Sequence, residues 1–195
     1  MKKLLATTLL LLLSSSLAFS VQQPVNWISY SSPEGRYNIS LPQQPKVSTQ
    51  ESTTADGEKF PQYLTTVTEA SGLIFMIGYF DVVSGTVFSA DVARDAMVKS
   101  ASGRLVGENA ISLGGYPGRD LNIALKLSTT PAAGESASQI DYVDRARIYE
   151  AGKRIYILQA IFPKSVESDV NVRVTKFFDS FQVVKAEAST TVSAN

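Results

Sequence analysis

The sequence has no cysteine and no histidine in 195 residues. Without cysteine there is no disulfide, no thiolate nucleophile and no sulfur to carry a lipid anchor. Without histidine, Ser-His-Asp and Cys-His catalysis and the usual zinc ligand sets fall away, because each needs imidazole or thiolate. Carboxylate, lysine, tyrosine and backbone chemistry remain. The acids form no DxDxDG calcium loop, and no serine stands in a GxSxG or SxxK setting. No catalytic residue, cofactor or metal site is expected, and the chain reads as a non-enzyme. Charge is sparse as well, with 18 basic and 18 acidic residues. That leaves neither the basic footprint of a nucleic-acid binder nor a polybasic membrane patch.

Only the first residues hold a long apolar run, and it is too short to cross a bilayer. Lys2 and Lys3 precede Leu4 to Leu13, and small residues follow at Ser16, Ala18 and Ser20. This is the basic, hydrophobic, small-residue order of a secretory signal peptide over residues 1–20, whereas a span takes about 20 apolar residues. The small-residue rule admits cleavage after Ala18 or after Ser20. The expected product is an exported protein of the periplasm or an equivalent lumen, with no stable membrane anchor after cleavage. Removing Lys2 and Lys3 leaves 16 basic against 18 acidic residues, a net charge of about −2. Residues 21–185 fit one domain by size, and 186–195, small and polar, read as a disordered tail.

Turn residues divide that domain into short extended runs. Asn26 to Tyr30 and Arg36 to Leu41 flank Ser31-Ser-Pro-Glu-Gly35 and predict two strands joined by a turn. Val47 to Thr54 and Tyr63 to Glu69 flank Asp56-Gly57, a hairpin signal; Pro61 makes the second of these late-starting or an edge. Leu73 to Phe80 is apolar without alternation, which predicts a strand buried on both faces. Ser89 caps a predicted helix reaching about Ser102 and stopped by Gly103, with Val92, Ala96, Met97 and Ala101 inward and Arg94, Asp95 and Lys99 outward. Arg119 to Leu127 alternates, placing Leu121, Ile123, Leu125 and Leu127 on one face and Asp120, Asn122, Ala124 and Lys126 on the other. After a small-residue loop at 128–138, Ile140 to Glu150 and Arg154 to Phe162 predict a long hairpin. A last helix over about 167–181 gathers Val170, Val174, Phe177, Phe178 and Phe181 on one side.

The C-terminal third resembles the PsbP-like family, the extrinsic lumenal subunits of photosystem II and their bacterial relatives. The resemblance rests on a strand ending Arg147-Ile-Tyr149, then Gly152-Lys-Arg-Ile-Tyr-Ile-Leu-Gln-Ala160, a helix, and the closing Phe177-Phe-Asp-Ser-Phe-Gln-Val183. Ser32-Pro-Glu-Gly-Arg-Tyr and Gly115-Tyr-Pro-Gly118 are similar to motifs of secreted bacterial proteins of that type. The resemblance implies an α+β fold, an α-β-α sandwich with a twisted antiparallel sheet covered by helices. It carries no enzymatic signature, and the histidines of plant metal contacts have no counterpart here. A doubly apolar strand beside two amphipathic helices points to two covering layers on its own.

For a site, Asp141, Asp144, Arg145, Arg147 and Glu150 crowd one strand, and Arg154 opens the next. Alternate residues share a strand face, and arginine and tyrosine are enriched in interfaces, so Arg145, Arg147 and Tyr149 are the candidate partner-binding residues. The competing reading is a solvated surface of cross-strand pairs. Gly114-Gly-Tyr-Pro-Gly118 lacks phosphate-loop spacing and reads as a Pro-Gly turn. The Asn38-Ile-Ser40 sequon lies in a predicted strand and reads as chance, and Trp27 and Tyr30 as packing on the sheet. The function expected is that of an exported accessory factor binding another exported protein. The alternative is a small-molecule or ion-binding periplasmic protein using the space between sheet and helix, and further off a carboxylate-based hydrolase.

Overall fold

Residues 154–163 place Tyr156, Leu158, Ala160 and Phe162 on one side of a strand and Ile155, Ile157 and Ile161 on the other, so this strand needs cover above and below. It becomes β9 (Arg154–Pro163), the middle of a seven-stranded antiparallel sheet. The computed structural model describes residues 26–54, 57–128 and 139–185. The expected signal peptide, Asp56 of the hairpin turn, the small-residue loop over 129–138 and the tail over 186–195 lie outside the described residues.

The sheet runs β3-β4-β5-β9-β8-β7-β6, built from β3 (Lys46–Thr53), β4 (Lys59–Thr68), β5 (Ile74–Asp81), β6 (Arg104–Leu113), β7 (Tyr116–Ser128), β8 (Gln139–Ala151) and β9. A smaller sheet pairs β1 (Ile28–Ser32), β2 (Tyr37–Leu41) and β10 (Gln182–Val183), with β2 in the middle. Two helices complete the fold, α1 (Ala90–Ser100) and α2 (Glu167–Asp179).

One face of the large sheet is closed by α2 together with the small sheet. Val170, Val174, Phe177 and Phe178 of α2 and Tyr37, Ile39 and Leu41 of β2 meet Val67, Phe75, Tyr79, Leu158 and Phe162. Phe181, just past the helix, lies 5.4 Å from the Tyr156 ring and 5.6 Å from that of Tyr37. Each such buried phenylalanine contributes about 2–3 kcal/mol, enough to offset the weak helix propensity of the valines in α2.

The opposite face is covered unevenly. Ala93, Met97, Val98 and Ala101 rest on Leu121, Ile123, Leu125, Ala146 and Ile148, yet no residue of α1 is buried. On this face of β3 and β4, outside the cover of α1, Gln50 donates to Gln62 and Ser52 shares the same acceptor. The architecture is therefore mostly antiparallel sheet with one helix on each side, and α1 spans only part of its layer. This corrects the double burial expected of β5: Phe75, Ile77 and Tyr79 are buried, whereas Ile74, Met76 and Phe80 are half-covered, since α1 packs on β7 and β8 and stands off this strand.

Other departures have local causes. The inward stripe of α1 is rotated, so Val92 and Ala96 are left exposed while Ala93 and Val98 pack; the half-buried Arg94 pairs with Glu108 at 2.9 Å. Ser89 does cap the helix, accepting from the Val92 amide. Pro61 sits within β4, not before it. Its segment pairs with β3 alone, since the ladder to β5 begins at Tyr63, so the missing amide costs no bond there. The turn between β6 and β7 is made at Gly114 and Gly115, both at positive φ, and Pro117 and Gly118 already lie in the strand. β6 itself had no clear signal, because a bulge between Leu105 and Gly107 breaks its alternation.

Candidate functional site

Strand parity places Arg145 and Arg147 on the α2 side of β8, and the register brings Asn122 and Asp120 of β7 directly opposite them. One strand further out, Asn109 lies opposite Asp120. Phe178 and Thr175 of α2 close the other wall, leaving a polar cleft of about 290 Å³.

Arg147 is held from both walls and Arg145 from the helix. Arg147 donates from Nε to Asp120 Oδ2 at 2.9 Å, and its Nη1 lies 3.5 Å from Asp179 Oδ1. Its Cζ sits 4.7 Å from the centroid of the Phe178 ring, a cation–π position. Burial works against its charge, but the bond to Asp120 and the nearby Tyr149 and Asp120 outweigh that, and its pKa is raised. Arg145 donates to Asn171 Oδ1 at 2.7 Å and to Glu167 Oε1 at 3.0 Å, so it clamps β8 to the first turns of α2. Glu167, Asp120 and Asp179 thus balance the two guanidiniums. The cleft presents guanidinium donors, carboxylate acceptors and the amides of Asn109 and Asn122.

The third candidate residue does not reach the cleft. Tyr149 is 3 % exposed and stacks on Phe181 at 6.0 Å, with ring planes 12° apart. Burial raises its pKa against the pull of Arg147. It pairs with Gly118 across β7, and the absent side chain there gives its ring room. Tyr149 supports the floor beneath Arg147 and offers nothing to a partner.

The acidic and basic residues grouped on β8 are likewise divided between faces. Asp144 points away from the cleft and is 2 % exposed, with Gln159 donating to it. Arg154 turns to Asp81, making two bonds of 2.7 Å, and lies 4.9 Å from the Tyr79 ring. Alternation puts Asp120 and Asn122 on the right face, but only the register shows that they meet the arginines. Asn109 carries no signal, because the bulge in β6 hides its alternation. Among the described residues no group of three or more Asp and Glu is arranged to hold a metal ion. Trp27 packs edge-on against Phe75 at 5.8 Å, a core contact.

No family model matches the chain, and no curated protein does. Among solved structures it is similar to the cyanobacterial PsbP, CyanoP, of Synechocystis sp. PCC 6803. The two share 11 % identity at a TM-score of 0.55, over 82 % of this chain and 93 % of that one. A Pseudomonas aeruginosa protein of unknown function, PA94, aligns at 14 % identity over 76 % of this chain and 91 % of its own. Its TM-score of 0.42 is too low to carry an argument. The fold is PsbP-like.

Proposed function

We propose that the chain is an exported, non-enzymatic accessory protein that binds another exported protein through the Arg145–Arg147 cleft. Its architecture is an α-β-α sandwich with one incomplete helical layer. The observation that carries this reading is the ordering of both arginines before any partner arrives. Arg147 is fixed from β7 and α2, and Arg145 by two residues of α2, so little side-chain entropy is lost on binding, and arginine is enriched among the anchors of interfaces. The leader-like residues 1–20 support an exported setting, and the PsbP-like fold agrees with the family resemblance of the sequence.

A photo-crosslinking residue at Thr175, an exposed position on the cleft wall, tests it in the source organism, with Gln50 on the far strand β3 as control. One protein captured from position 175, absent from position 50 and lost when Arg145→Ala and Arg147→Ala are combined, is the expected outcome. Equal capture at both positions, or capture indifferent to the arginines, overturns it. Export is read separately, by fractionation and by an N-terminus beginning after Ala18 or Ser20.

A further inference from the structure

The other face of the sheet holds a larger cavity, of about 550 Å³, where α1 stands off the strands. Its helix wall is Val92 and Ala96, the residues that the rotated stripe leaves without a packing partner; Val92 is 63 % exposed. Its sheet wall is Phe60 and Phe80, with ring centroids 5.0 Å apart, and Phe88 continues the row 6.2 Å from Phe80. Val87, in the connection from β5 to α1, is 94 % exposed at the mouth. Helix and sheet thus present apolar side chains to each other across the cavity, surface that a bound apolar molecule would take out of water.

The size and charge of the space select its occupant. The volume lies within the 300–1,000 Å³ usual for small-molecule sites. A second copy of the chain would instead need about 800 Å² of matched surface on each side. Among the described residues Asp81 is the one charged residue of the lining, and Arg154 engages both of its oxygens. The lining therefore gives a ligand charge no counter-charge. Two hydroxyls in the lining remain able to donate: Ser89 Oγ accepts from the Val92 amide and Thr54 Oγ1 from that of Glu58, so each keeps its own proton free. We propose that this cavity binds an uncharged, largely apolar small molecule carrying a hydrogen-bond acceptor such as a carbonyl oxygen.

Nile red has that chemistry and reports its surroundings by emission. Titrated with the full chain, it is expected to shift to the blue and saturate at one dye per chain. Ala96→Trp fills the cavity from an exposed helix position, and Val92→Glu places a charge on its wall. Each should weaken the saturable binding at least tenfold with the circular dichroism and melting temperature unchanged. Two variants guard against one of them misfolding, and every chain carries the same remaining sequence, so their difference reads the cavity alone. Binding that does not saturate, or that survives both substitutions in folded protein, overturns the proposal. So does sedimentation showing a dimer that Ala96→Trp dissociates, since the cavity would then be filled by a second copy.

Discussion

Gln159 Nε2 donates to Asp144 Oδ2 at 2.7 Å, while the other carboxylate oxygen, Oδ1, is buried with no partner. Burial pushes this carboxyl from 3.8 up to about 6, and the bond from Gln159 offsets only part of that. The folded chain therefore holds the proton more tightly than the unfolded one. The associated stability is fully present below about pH 3.8 and is lost as the pH rises through 6, the reverse of a salt-bridged aspartate. Two pKa units correspond to about 3 kcal/mol. Asp144→Asn cannot ionise, so its stability relative to wild type should improve by about that amount between pH 4 and pH 7. Urea unfolding of both proteins across this range measures it, and parallel profiles would refute it.

A buried side-chain hydrogen bond ties the small sheet to the large one, from Tyr37 Oη to Thr65 Oγ1 at 2.8 Å, and Tyr156 Oη adds a second by donating to the Gly35 carbonyl in the β1–β2 turn at 2.7 Å. Tyr37 and Thr65 are both buried, and the Tyr37 phenol pKa is pushed up to about 12 by desolvation, so the hydroxyl stays protonated and donating. Tyr37→Phe should cost about 1–3 kcal/mol by leaving the Thr65 oxygen buried and unpaired. Adding Thr65→Val removes the stranded group and should recover much of the loss. A double-mutant cycle by chemical denaturation checks this; additive losses would mean that the bond carries no coupling.

Much of this fold follows from short-range pattern. The alternation of Leu121, Ile123 and Leu125 and the spacing of Val170, Val174, Phe177 and Phe178 each mark a buried face that the structure confirms. Elements depending on distant partners left no such mark: β10 is two residues held by pairing to Tyr37 and Asn38, and β6 is an edge strand whose bulge scrambles its period. The same divide runs through the cleft. Parity on one strand puts Arg145, Arg147 and Tyr149 on one face. It does not reveal that Asp120 and Asp179 hold Arg147, or that Phe181 covers Tyr149. In α1, Val92 and Ala96 fit an apolar stripe as well as Ala93 and Val98 do, and only the packing on the sheet separates the two sets.

Two glycines of adjoining strands should respond differently to alanine. A Cβ on Gly118 would lie 2.7 Å from Tyr149 Cδ1 and closer still to the Ile148 carbonyl oxygen, and backbone cannot yield as a side-chain tip can. At Gly107, the nearest atom would be 4.0 Å away. Gly118→Ala should cost about 1–3 kcal/mol or more by overpacking and displace the Tyr149 ring. Gly107→Ala should stay within about 0.5 kcal/mol. Thermal melts of the pair decide it, and equal losses would show that the β7–β8 contact is softer than the geometry requires.

The two helices should also differ in how readily they open. α2 buries Val170, Val174, Phe177 and Phe178, each contributing about 1.5–3 kcal/mol, whereas α1 buries no residue. What else fastens α1 is charge: Glu108 of β6 receives Arg94 of the helix at 2.9 Å and Arg119 of β7 at 3.3 Å. Local openings draw on the least packed elements, so α1 amides should exchange with solvent well before those of α2 in native-state hydrogen exchange. Glu108→Gln should speed exchange in α1 and leave α2 unchanged, because it removes one of the charges that join helix to sheet, leaving Asp91–Arg119, without touching the phenylalanine core. Saturating the neighbouring cavity with Nile red should slow α1 exchange, as ligand binding to the closed form raises the cost of opening. Exchange at equal rates in the two helices would show that α1 is fastened by something other than this thin apolar seam and its ion pairs.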